Sequence, residues 1–212
     1  MTASKTLLIA AALLAVTAVP SVAQDARLAR RLDAATYAQV QGELDSARLA
    51  GLPTEPLVER ALEGASKNAA GPRIVAAVHR LAGDLASARR ALGETSTTAE
   101  LEGGASALRA GADSAALTEL RHSRPRRQLT VPLAVLADLV ARGVPADTAA
   151  RFVVSLAPAS DEQLVMFQRN VERDIALGAP PIAAAAVRMT GVTGLTSGDA
   201  APGPQASPPR KP

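Results

Sequence analysis

The run from Ile74 to Leu92 constrains the fold of this chain more tightly than any other feature. Ile74, Val78, Leu81, Leu85, Ala88 and Leu92 follow steps of 4, 3, 4, 3 and 4, which place all six on one stripe of an α-helix. No segment shows the strict alternation of a half-buried strand. The same spacing recurs in Leu101, Ala105 and Leu108, in Leu133, Leu136 and Val140, in Ala149, Phe152, Val153 and Leu156, and in Leu164, Phe167, Val171 and Ile175. Each stripe needs a partner helix to cover it. The expected class is therefore all-α, an irregular bundle or short superhelical stack of about 7–9 amphipathic helices.

Capping chemistry marks the ends of these segments. Thr97 with Glu100, and Ser160 with Gln163, have capping-box spacing directly before an apolar run. Thr54, Asp113 and Thr130 are further N-cap candidates, with Pro56 and Pro132 tolerated in the first turn, where no N–H is needed. Stops repeat as Gly51-Leu52-Pro53, Gly71-Pro72, Gly111-Ala112-Asp113, Gly143-Val144-Pro145 and Gly178-Ala179-Pro180. In each, glycine can close a helix in the left-handed conformation and proline or aspartate can open the next. The intervals between these glycines, 20, 40, 32 and 35 residues, are too uneven for a strict solenoid repeat.

The core these helices can build is unusual. There is no cysteine, so disulfides and an acylated-cysteine anchor are excluded, and Tyr37, Phe152 and Phe167 are the only aromatic residues. Leu, Val, Ile and Ala must supply the packing, and small side chains let helices approach closely while burying little area each.

Three segments follow from composition. Residues 1–23 read as a secretory signal peptide: Lys5 near the amino terminus, an uncharged apolar run of 14 residues from Thr6 to Val19, then Pro20-Ser21-Val22-Ala23, with cleavage expected after Ala23. That run is shorter than the roughly 20 residues of a spanning helix, so no transmembrane anchor is expected after cleavage. Residues 24–190 form one all-α domain, and residues 191–212, with five prolines, read as a disordered tail. The address is export, periplasmic or secreted.

The sequence pI near 9.9 suggests polyanion binding, yet the body contradicts it. With Lys5, Arg210, Lys211 and Asp199 set aside in the leader and tail, 20 basic residues face 19 acidic ones. A nearly neutral body has little long-range field to steer anions. Arginine outnumbers lysine 20 to 3, which raises the pI because guanidinium titrates so high.

The best local site candidate is Arg121-His122-Ser123-Arg124-Pro125-Arg126-Arg127, in which Arg121, His122, Arg124, Arg126 and Arg127 could contact phosphate or an anionic lipid head group. The plainer reading is a solvated interhelical loop whose cations suit the carboxyl end of the preceding helix. The stretch Leu139 to Arg151, with its turn at Gly143, has the local pattern of a helix-turn-helix that would turn Thr148 and Arg151 toward a groove. Export, and the recurrence of the same junction elsewhere, favour a plain helix–helix turn and no nucleic-acid partner.

His79 and His122 lie on different elements, there is no cysteine, and no His-Glu pair has ligand spacing, so no metal is expected. Asp161-Glu162 and Glu172 with Asp174 read as helix-terminus acids rather than a catalytic pair. No G-x-S-x-G elbow, P-loop or G-x-G-x-x-G follows a strand, Gly103-Gly104 falls inside a helix, and no aromatic cluster offers a stacking platform. The expectation is a non-enzymatic exported protein without cofactor, a protein-interaction or scaffolding module with an envelope protein as partner. The alternative is an anion- or lipid-binding protein working through the arginine loop.

Overall fold

The structure, a computed structural model, describes residues 26–197. The leader assigned to residues 1–23 lies outside them. After a short helical turn at 26–29, the described residues form nine helices: α1 (Ala34–Leu49), α2 (Glu55–Ser66), α3 (Gly71–Leu92), α4 (Thr98–Ala110), α5 (Ser114–Ser123), α6 (Thr130–Ala141), α7 (Ala146–Ser155), α8 (Asp161–Ala176) and α9 (Pro181–Ser197). No strand occurs among them.

Every substantial helix pairing joins elements no more than two places apart in chain order. The longest helix, α3, touches α1, α2, α4 and α5; α6 touches α4, α7 and α8; α9 closes the series on α7 and α8. Packing therefore advances along one direction, as in a short stack of helical hairpins.

The stripes read from sequence are the buried faces. All six residues from Ile74 to Leu92 are buried, as are Leu133 and Leu136 on α6 and Leu164, Phe167 and Val171 on α8. Small residues set the closest contacts. A Cβ added to Gly104 would lie 2.9 Å from Ala88 Cβ and 3.1 Å from Leu92 Cδ1, and one on Gly64 would lie 2.8 Å from Ile74 Cγ1. Glycine thus lets α4 and α2 seat against α3.

Both capping boxes form as expected, and Asp113 accepts the Ala116 N–H at 2.7 Å. One N-cap expectation is corrected. Thr54 takes the N-cap position of α2, with no side-chain hydrogen bond to the first turn, whereas Thr130 is the first residue of α6, preceded by Leu129. Leu129 takes the N-cap position, and its N–H is bound by a side chain from α4, described below. An unforeseen cap is Asp33, which accepts the Ala35 and Thr36 N–H groups.

Gly51, Gly111, Gly143 and Gly178 close their helices with positive φ, and the following Leu52, Ala112, Val144 and Ala179 donate back to residues 47, 107, 139 and 174. Gly71 does not belong to that set: it is the first residue of α3. The closing role there falls to Asn68 at φ 52°, a residue type that tolerates the left-handed region. α9 runs past the boundary expected at residue 190, through Gly191 to Ser197; the rest of the expected tail lies outside the described residues.

Candidate functional site

The arginine loop joins α5 to α6, and its side chains turn mostly toward the protein. Arg124, only 1 % exposed, is the largest fully buried side chain among the described residues. Its Nη2 donates to the Ala159 carbonyl at 2.6 Å and to the Leu156 carbonyl at 3.3 Å, and its Nη1 to Asp161 Oδ1 at 3.1 Å. Arg127 donates to the carbonyls of Ala157 at 2.9 Å and Ala159 at 3.2 Å. Two guanidinium groups therefore clamp the α7–α8 turn, whose carbonyls at a helix end lack intrahelical partners. Burial pulls the Arg124 guanidinium below its ordinary value, Asp161 works against that pull and Arg127 adds to it.

Arg121 points the other way, toward α4. Its Nη2 donates to Glu100 Oε1 at 2.7 Å, and the same oxygen accepts the Leu129 N–H at 2.9 Å, while Oε2 accepts the Thr97 N–H at 2.9 Å. Burial pushes the Glu100 carboxyl up; the Thr97 N–H, Arg121 and the Leu129 N–H outweigh it and hold the group below the usual carboxylate range. Glu100 thus caps α4 and anchors the entry to α6 at once.

Of the five candidate residues, His122 and Arg126 alone stand exposed without a hydrogen bond or ion pair. They do not share a site. His122 lines a shallow concavity of about 640 Å³ between α3 and α5 with Arg90, Thr118 and Glu119, and Arg126 is not part of it.

The other sequence candidates are accounted for by packing. Asp161 pairs with Arg124, Glu172 with Arg142 at the end of α6, and Asp174 with Nε and Nη2 of Arg188, each at 2.7 Å. His79 lies exposed on α3, its Nδ1 3.0 Å from Glu43 Oε1. Among the described residues no group of three or more His, Cys, Asp or Glu is placed to hold a metal, and no helix is long and apolar enough to cross a membrane.

A different surface was not singled out in the sequence. On the outer side of the α2–α3 hairpin runs an open groove of about 830 Å³. Gly64, Ala69, Pro72, Ala76 and Ala77 are its apolar lining, and four cations line it too: Arg60 from α2, Lys67 from the turn that follows it, and Arg73 and Arg80 from α3. Arg60 and Lys67 share Glu63, at 2.9 and 2.6 Å, and Lys67 first and Arg60 after it hold that carboxyl below its ordinary range. Arg73 and Arg80 are exposed and have no partner among the described residues. The sequence signal was there, a seven-residue repeat of cations on α3 and on α2 with its C-cap, but it emerges only once the hairpin pairs them. No family model, curated protein or solved structure matches this chain.

Proposed function

We propose that this protein is a non-enzymatic interaction module, exported to the cell envelope, that receives a protein partner on the outer face of its α2–α3 hairpin. The observation that carries the reading is the groove, lined by alanine and glycine together with cations of which two have no partner among the described residues. Small lining residues let a partner helix approach closely, and such grooves suit helix docking. The leader-like first 23 residues support the envelope assignment. The anion- or lipid-binding alternative draws less support, since Arg121, Arg124 and Arg127 already bond to carbonyls and two carboxylates of their own chain.

Site-specific photo-crosslinking in the native host tests this. A photoreactive residue in place of exposed Ala76 should give a discrete protein adduct, and one in place of exposed Gln128, beside the arginine loop, should give none. Recovery of the chain in an envelope or secreted fraction, starting at Gln24, is the accompanying expectation. No adduct from Ala76, or a lipid adduct from Gln128, would refute the assignment.

A further inference from the structure

Resting on that reading, we infer that the α2–α3 groove takes an acidic amphipathic helix, one that carries carboxylates along both flanks at seven-residue spacing. Arg60 and Lys67 are seven residues apart on α2 and its C-cap, Arg73 and Arg80 seven apart on α3. At 1.5 Å per residue Arg73 and Arg80 lie about 10 Å apart along α3, two turns, and Lys67 caps the end of the helix that carries Arg60. The two helices are joined by a turn of four residues, 67–70, and pack as a hairpin with Gly64 against Ile74, so Lys67 and Arg73 lie toward the turn end of the groove and Arg60 and Arg80 toward the other end. Two cations thus lie toward each end of the groove. A helix laid along it repeats its own flanks with the same two-turn period, so acids at i and i+7 can meet a cation toward each end.

Charge counting within the groove agrees. Glu63 is the only carboxylate lining it, which leaves a surplus of three positive charges. Further cations stand on the other flank of α2, where Arg27, Arg30 and Arg31 line a depression of about 480 Å³ with Leu62 and Ser66. Arg27 pairs with Glu55; Arg30 and Arg31 have no partner among the described residues. A bilayer surface fits less well because the cations line a concavity, and a nucleic acid less well because no aromatic side chain lines it.

The test uses the full chain against a displayed library of 18-residue helices with a fixed alanine–leucine stripe and flanks randomised over Glu, Gln, Lys and Ser. Selected sequences should carry Glu on both flanks at seven-residue spacing. Their affinity should fall about tenfold or more for the R73Q/R80Q double variant, and steeply as salt rises from about 50 to 500 mM. Both arginines are exposed and unpartnered among the described residues, so an unchanged melting curve is expected for that variant. Failure to enrich acidic helices, enrichment of Lys, or equal binding to the double variant overturns the inference. So does tighter binding of phosphatidylglycerol vesicles or a single-stranded oligonucleotide that the same substitutions abolish. If the Ala76 adduct persists while acidic helices are not selected, the interaction module survives and the acidic occupant does not.

Discussion

Replacing Arg124 by Met separates a clamp from a ligand site. The guanidinium makes one short bond to the Ala159 carbonyl, a long one to Leu156 and an ion pair with half-exposed Asp161. A hydrogen bond from a charged donor contributes about 1.5–3 kcal/mol, a half-exposed ion pair less than about 1. Neither carbonyl is orphaned by the change, because Ala159 keeps Arg127 and Leu156 keeps the Ala159 N–H at 2.9 Å. Methionine also removes the buried Nε, which has no partner here. These terms leave a net loss of about 2–3 kcal/mol, a drop of roughly 5–10 °C in Tm for a domain of this size. Arg124→Lys should fall between, since one ammonium cannot occupy both Nη positions. Arg126→Gln should leave Tm unchanged. Thermal and urea unfolding followed by circular dichroism read all three. If Arg124→Met melts like the parent chain, or Arg126→Gln costs as much, the loop is not a clamp.

The remaining expectations concern glycine contacts and acid sensitivity. Gly104→Ala forces a methyl against Ala88, Leu92 and Leu117 and should cost about 1–2 kcal/mol after its helix-propensity gain, whereas Gly83→Ala, with nothing within 4 Å, should stabilise by about 0.5–1 kcal/mol; opposite signs in urea midpoints are the check. Equal signs would mean α4 can move off α3. Because the folded Glu100 carboxyl titrates below its unfolded value, near 4.3, its stabilisation is complete above that pH and is lost as pH falls through the lowered folded value. Glu100→Gln should therefore flatten the acid limb of the Tm–pH curve. An unchanged acid limb would assign acid sensitivity to other carboxylates.

What sequence could and could not show divides along the range of the interaction. The buried stripe of α3, both capping boxes and four glycine closures depend on residues within one or two turns, and all were legible. Asn68 escaped notice because its closing role looks like any polar residue between helices, and Gly71 misled because a glycine before a proline resembles the other stops. The fates of the loop arginines were hidden for a different reason. Arg124 meets residues 32 to 37 positions away, Arg121 one 21 positions back, and Arg126 nothing, although the four look equivalent in the chain. The groove was hidden likewise: a seven-residue cation repeat on one helix is an ordinary solvated face until a second helix sets the same repeat beside it.

Arginine's abundance here follows from how a stack poor in aromatic residues is held together. Phe167 is the one fully buried aromatic among the described residues, and Arg124 exceeds it in volume. Alanine and glycine bring helices close but leave little to grip, and a long planar guanidinium can reach across a junction and bond in two directions. Arg121 ties α5 to Glu100 on α4, Arg142 ties the end of α6 to Glu172 on α8, and Arg188 ties α9 to Asp174 on α8. These ties follow the stack's own order, each linking helices one or two places apart. The high pI is in this sense a by-product of construction. Arg73 and Arg80 then differ from the tying arginines in kind: they bond to nothing among the described residues and border an apolar concavity. Where a fold uses this residue mainly to join its own helices, a matched pair left open beside a groove is the place to look for a second molecule.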